Sequence, residues 1–266
     1  MGSEPDARRF AFLGGLHRSG TSLLFKILRD HPEISGFRDT GVSEDEGQLL
    51  QSVYPPARKY GGPGKFGFNP ESFLDESSPL VSPDNARALF DQWSRHWNTE
   101  ARLLLEKSPP NLVRSRFLQA LFPNSRFIML LRHPVAVTLA TQKWSRTPLA
   151  ALLEHWVLCH ERFAYDHRHL NRLLTLKYEE FVASPDVWVD RIHAFLGVSS
   201  SPHGQQVEAG VNAKYFERWQ KALQARSNEK VDDLLRRLEP RVNRFGYSLV
   251  SLEMLEPLGP DFIRAG

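Results

Sequence analysis

The stretch from Gly14 to Leu28, G-G-L-H-R-S-G-T-S-L-L-F-K-I-L, gathers glycines, hydroxyls and a cation as an anion cradle requires. Counted from Gly15 it reads G-x-x-x-x-G-Thr-Ser. A loop that grips a nucleoside triphosphate places a lysine on the β- and γ-phosphates and the following hydroxyl on Mg²⁺. Thr21 stands where that lysine would, and the cation is Arg18, three residues earlier. The stretch is either a kinase-type loop without its lysine or a phosphate cradle for a different nucleotide. The run R-F-I-M-L-L-R (126–132) bears on the choice, because it ends in Arg132 where a triphosphate enzyme would carry a metal-binding acid. A cation there suits a second phosphate. Two cationic sites fit a nucleotide phosphorylated at two places, as in a 3′,5′-bisphosphate.

These residues need elements to position them. Residues 10–13, F-A-F-L, read as a strand stopped by Gly14-Gly15, and a helical pattern runs from near Gly20 to His31-Pro32. Strand, glycine turn and helix together bring loop N–H groups and a helix N-terminus onto one anion. The alternation continues with strands at 102–107, 126–132 and 172–178 and helices at 111–122, 134–144, 148–170 and 186–197, the last closed by Gly197. Such alternation predicts a parallel sheet covered by helices on both faces. Residues 36–83 interrupt it with Gly, Pro and acids, and are expected either to close over a substrate as a lid or to be partly disordered. A second polar loop spans 199–212, ahead of the helices that finish the chain to 266. One domain over 1–266 is the simplest organisation.

Composition sets limits. Of 266 residues, 41% are hydrophobic and 24% charged, ordinary for a globular protein, and a net charge of +3 gives no field for nucleic acid. Cys159 is the single cysteine, which rules out an intrachain disulfide and a cysteine-based metal cluster, and fits a reducing, cytoplasmic setting. The N-terminus M-G-S-E-P-D-A-R-R-F has no apolar run to make a signal peptide or anchor, and no stretch approaches the length of a membrane span. A homodimer is left open.

Five blocks carry a family resemblance. G-G-L-H-R-S-G-T-S-L-L-F-K-I-L-R-D-H-P is similar to the 5′-phosphosulfate loop of the sulfotransferases that use 3′-phosphoadenosine 5′-phosphosulfate (PAPS). F-I-M-L-L-R-H-P-V-A-V-T-L-A resembles their 3′-phosphate strand and helix, and the block from Leu174 to Val198 resembles their strand, acidic pair and helix ending F-L-G. G-V-N-A-K-Y-F-E-R-W (210–219) and R-F-G-Y-S-L (244–249) resemble later segments of the tyrosylprotein sulfotransferases, and the pattern as a whole most resembles bacterial-type sulfotransferases related to them. The blocks run in family order and leave only the 36–83 stretch unmatched.

The resemblance implies a P-loop-like three-layer fold, PAPS as donor with PAP as product, no metal, and sulfuryl transfer to an acceptor oxygen or nitrogen. It implies that Arg18, Ser19, Gly20, Thr21 and Ser22 hold the phosphosulfate and Arg132 the 3′-phosphate. Tyr178 would reach the adenine, and Asn212 and Arg218 would close over the phosphates. The family's serine, eight residues after the strand arginine, is Ala140 here, so Thr138 or Thr141 would supply the hydroxyl, or Lys143 compensate.

In-line transfer needs a base for the acceptor and charge on the leaving oxygen. Arg18 and Lys107, the latter in E-K-S-P-P-N, are candidates for the charge, with an ion pair between Lys107 and Glu106 as the alternative. For the base the order is Glu46, at the head of an expected helix E-D-E-G-Q-L-L-Q, then Asp45, then Asp39. Acids neutralising a helix N-terminus are the competing reading there. His17 and His133 are further candidates, both expected nearer the nucleotide than the acceptor. Tyr54, Tyr60, Phe66, Phe68 and His155 are candidate acceptor contacts, whereas Trp144 and Trp156 are expected in the core. Other readings are a P-loop phosphotransferase and a nucleotide-binding module without catalysis. The acceptor is expected to be a glycan or small-molecule hydroxyl.

Overall fold

The computed structural model describes residues 9–224 and 229–258. The polar start of the chain, read as neither signal nor anchor, lies largely outside the described residues, as does the end of the C-terminal segment. Among the described residues, no helix is long and apolar enough to cross a membrane.

Five strands form one parallel sheet: β1 (Phe10–Gly14), β2 (Ile34–Gly36), β3 (Leu103–Lys107), β4 (Arg126–Leu131) and β5 (Leu173–Lys177), in the order β2-β3-β1-β4-β5. The helices are α1 (Thr21–Arg29), α2 (Pro83–Trp93), α3 (Ser115–Leu121), α4 (Pro134–Ser145), α5 (Leu149–Asp166), α6 (Tyr178–Ala183), α7 (Pro185–Leu196), α8 (Ala213–Gln224) and α9 (Glu229–Asn243). β1, β3 and nearly all of β4 are buried, which the apolar runs of β1 and β4 require once helices cover both faces; in β3 burial takes in Glu106 and Lys107 after three leucines. Register aligns Leu13 with Lys107, and Gly14 with Met129. Leu131 aligns with Lys177. The C-terminal ends of four strands therefore open on one edge, where open α/β sheets bind ligands.

The structure departs from the sequence pattern in several places. β2 has three residues, too few to show a period, and α2 lies in a stretch without a sequence expectation. The helix expected over 111–122 is divided. Pro109 and Pro110 start a tight turn through Val113, and Arg114 (φ −133°, ψ 7°) breaks it before α3. Tyr178 opens α6 and does not end β5. The residues around Glu46 form no α-helix, only two single 3₁₀ turns, Ser43–Asp45 and Gly47–Leu49, with Glu46 extended between them.

Residues 36–83 are all described and pack against the rest of the chain. Tyr54, Ala57, Phe66 and Ser72 are buried. Arg116 pairs with Glu76 and with Asp166 (3.2 Å), and Arg162 bridges Asp166 (2.8 Å) and Asp75 (3.0 Å). These pairs fasten the end of the segment to α3 and α5.

Candidate functional site

The loop after β1 turns sharply because Gly20, at φ 98°, caps α1 in a conformation that side chains resist. A Cβ on Gly20 would lie 2.5 Å from the Tyr178 ring, so the ring packs directly on the loop. α1 carries no acid in its first turn, leaving its N-terminal dipole for an anion. Ser19 is fully buried and its Oγ has no hydrogen-bond partner. Thr21 is buried and Ser22 half-buried on the first turn of α1. A glycine-capped helix start with an orphaned buried hydroxyl fits an anionic ligand.

Arg132 follows β4 and is only 6% exposed. Its Nε and Nη2 donate to Asn212 Oδ1 at 3.0 and 2.7 Å, and its Nη1 donates to the Arg18 carbonyl at 2.9 Å. Its guanidinium lies 4.1 Å from the centre of the Tyr178 ring. Three of the expected donor-site residues, Arg132, Tyr178 and Asn212, are thus brought together, with the backbone but not the side chain of Arg18 against them. Glu179 is not among the expected residues, yet it ties the group down. Its carboxylate accepts from the His133 N–H (3.0 Å), Asn212 Nδ2 (2.7 Å) and Tyr247 Oη (2.8 Å). The acidic pair after the strand is the only sequence signal for it. A cavity of about 250 Å³ opens against Tyr178, Glu179 and Asn212, walled also by Val182, Val211 and Phe216.

The remaining donor-side candidates lie elsewhere. The Arg18 side chain is exposed and stacks 4.4 Å over Trp144, which is 60% exposed and not in the core; Trp156 is buried and donates to the Arg132 carbonyl. Arg218 is exposed on α8, with Nη2 3.4 Å from Gln142 Oε1. Ala140 is buried. Thr138 and Thr141 do not join Arg132. They line a small cavity with Leu16, His17, Gly64 and His155. Lys143 is exposed, 6.0 Å from the centre of the Tyr215 ring.

The candidate base and lysine meet. Glu46 is 7% exposed, and its Oε1 lies 3.6 Å from Lys107 Nζ. Lys107 is fully buried and donates to the Glu44 carbonyl at 2.7 Å. Burial pushes the Glu46 carboxyl up and the Lys107 ammonium down, and the opposite charge of each partner offsets both shifts. Lys107 does not pair with Glu106. That carboxyl is buried and pushed up to about 7 by desolvation, and it accepts from Ser108 Oγ (2.5 Å) and Asn111 Nδ2 (2.6 Å).

Asp45 is committed to structure: it bridges Arg29 at 2.8 Å and accepts from the Thr40 N–H and hydroxyl. Hydrogen bonds from Thr40 and Arg29, with the latter's charge, hold its carboxyl below the usual range despite burial. Asp39 is exposed with φ 53°. His17 is turned towards Phe66 (ring centres 5.9 Å apart), not towards the nucleotide side, and desolvation holds it neutral with a pKa of about 3. His133 is buried and its Nδ1 accepts the Val135 N–H, capping α4. Of the aromatics in the 36–83 stretch, Tyr54 and Phe66 are packed inside, whereas Phe68 is 45% exposed and lies against His155.

The geometry defines a parallel α/β protein with an anion cradle, a second buried cation and a carboxylate–lysine pair along one edge. The model of the sulfotransferase family matches residues 11–202, and the chain belongs to that family. In sequence it is similar to the protein-tyrosine sulfotransferase 2 of Gallus gallus, 26% identical over 209 residues, covering 71% of this chain and 51% of the relative. It is also similar to the protein-tyrosine sulfotransferase of Drosophila melanogaster, 24% identical over 196 residues, covering 70% and 38%. The chain thus spans about half, or less, of the length of these relatives. Its fold is similar to the sulfotransferase domain from the Synechococcus PCC 7002 olefin synthase, with a TM-score of 0.50, 19% identity and coverage of 98% and 94%.

Proposed function

We propose that this protein transfers the sulfuryl group of PAPS to an acceptor hydroxyl or amine, with Glu46 as general base. The observation that carries this reading is the Glu46–Lys107 pair at the strand edge that also presents the phosphate loop and Arg132. The α1 N-terminus and Ser19–Ser22 would take the 5′ anion, Arg132 with Asn212 the 3′-phosphate, and the cavity beside Tyr178 the purine. Arg18, held over Trp144 in this structure, has the reach of a long exposed side chain to turn onto the phosphosulfate.

In the reaction, Glu46 removes the proton from the acceptor. The acceptor oxygen bonds to sulfur as the bond from sulfur to the phosphate oxygen breaks, and PAP departs with that electron pair. Lys107 neutralises the charge that spreads over the transferring group. A raised carboxyl pKa makes Glu46 a better base, while its lysine neighbour keeps it ionised.

The relatives named for protein tyrosine suggest a phenolic acceptor, and a glycan or natural-product hydroxyl is the other class the reading admits. Labelled PAPS offered with phenols, alcohols, glycans and tyrosine peptides tests it directly. Transfer to one class, with PAP binding that ATP does not displace, is the expected result. ATP competition would favour a phosphotransferase. Tight PAP binding without transfer to any acceptor would favour a binding module.

A further inference from the structure

Glu46 is held by a side chain to which no motif points. Gln48 is 3% exposed, and its amide orientation is dictated by its partners. The Ala57 N–H, which is only a donor, lies 2.8 Å from Gln48 Oε1. The Gln48 Nε2 must therefore face Glu46 Oε2, at 2.5 Å. The backbone beneath is equally constrained. The Gln48 N–H donates to Ser108 Oγ at 2.9 Å, and Ser108 in turn donates to the buried Glu106. Gly47 lies against the same carboxyl: a Cβ there would stand 2.5 Å from Glu106 Cγ. With Oε2 occupied by Gln48, the Glu46 oxygen beside Lys107 is Oε1.

We propose that Gln48 is a positioning residue that leaves Glu46 Oε1 as the oxygen taking the acceptor's proton, and that it couples this carboxylate to the lid through Ala57. The proposal rests on the reading of Glu46 as base. Donation to a carboxylate favours its charged form, so Gln48 works against the burial that otherwise raises the Glu46 carboxyl. The lid contact means that movement of the turn at Ala57 alters the donor on Glu46.

The test uses the full chain with PAP bound. Gln48→Leu removes both side-chain hydrogen bonds. Ala57→Pro removes only the lid N–H, at the first position of a turn and after a Pro56 already extended (φ −69°, ψ 158°), as a residue before proline must be. The Glu46 carboxyl resonance is followed by ¹³C NMR across pH and assigned by its loss in Glu46→Gln. Its midpoint is expected to rise in Gln48→Leu and to rise less in Ala57→Pro. With 4-nitrophenol and labelled PAPS, kcat should fall about 10- to 100-fold in Gln48→Leu with PAP affinity retained. An unchanged Glu46 midpoint in both variants overturns the proposal, and if Gln48→Leu does not fold, Ala57→Pro decides. A shifted midpoint together with wild-type turnover in Glu46→Gln leaves the hydrogen bond standing and overturns the base, and with it the positioning role.

Discussion

The two halves of the proposed site are built by different means. On the donor side, the cradle and Arg132 sit where β1 and β4 end, and their places derive from sheet topology. On the base side, Glu46 lies in irregular chain between two single turns, next to Glu44 and Asp45 at φ 55° and 50°. Left-handed conformations of this kind cost non-glycine residues about 1–3 kcal/mol and persist only where the surroundings impose them. Here Asp45 imposes them through Arg29 and Thr40, and Gln48 and Ser108 fix the turn after Glu46. The ends of β1 and β4 thus set where the cradle and Arg132 lie, with Asn212 and Glu179 orienting the guanidinium's surroundings, whereas no regular element places Glu46 and individual side-chain hydrogen bonds do so instead.

The largest expected effect lies on the base side. Glu46→Gln should lower kcat by about 10²–10⁴-fold while PAP affinity stays near wild type. Because burial raises the Glu46 carboxyl, the wild-type rate should climb with pH through that raised pKa, being lost as pH falls and the carboxylate is protonated. The variant should lack this acidic limb. A limb retained in steady-state pH–rate profiles would move the base elsewhere, and the contrast between the two halves would lose one member.

Arg132→Ala probes the other half and should act on binding. It removes a buried guanidinium and leaves Asn212 Oδ1 and the Arg18 carbonyl without their donor. Truncating one partner of a buried charge-assisted contact costs about 2–5 kcal/mol, so PAP affinity measured by calorimetry should fall by roughly 30-fold or more. Affinity within a few-fold of wild type would mean that the 3′-phosphate is held by other groups.

Legibility in the sequence divides along the same line. β1 and β4 are encoded by apolar runs and α1 and α4 by helical patterns next to glycine or proline; Arg132 and Lys107 are marked by strand ends, and Arg18 by the glycine loop after β1. Glu46 ranks first in the sequence by its position in an expected helix that does not form; it is placed instead by Gln48, Ser108 and Glu106, which meet across 60 residues of sequence. Neither periodicity nor a local motif encodes such a contact. Glu179 escapes sequence reasoning for a related cause, since its three donors come from three distant segments. Trp144 escapes it because a large aromatic on a helix reads as core, and only the fold shows it outside beneath Arg18.

The smallest expected effect tests where the boundary between the halves runs. Thr138 stands near the position at which the family resemblance calls for a hydroxyl on the 3′-phosphate, but its Oγ1 is buried without a partner beside His17 and His155. Thr138→Val is nearly isosteric. A buried hydroxyl that makes no hydrogen bond contributes little, and replacing it removes an unmet desolvation cost, so thermal stability should stay level or rise by up to about 1 kcal/mol. PAP affinity should not change, because the residue faces the lid-side cavity and not Arg132. A substantial loss of PAP affinity in Thr138→Val would place this hydroxyl on the nucleotide. The lid-side cavity would then be part of the donor site, and the boundary between donor and base halves would have to be redrawn through α4.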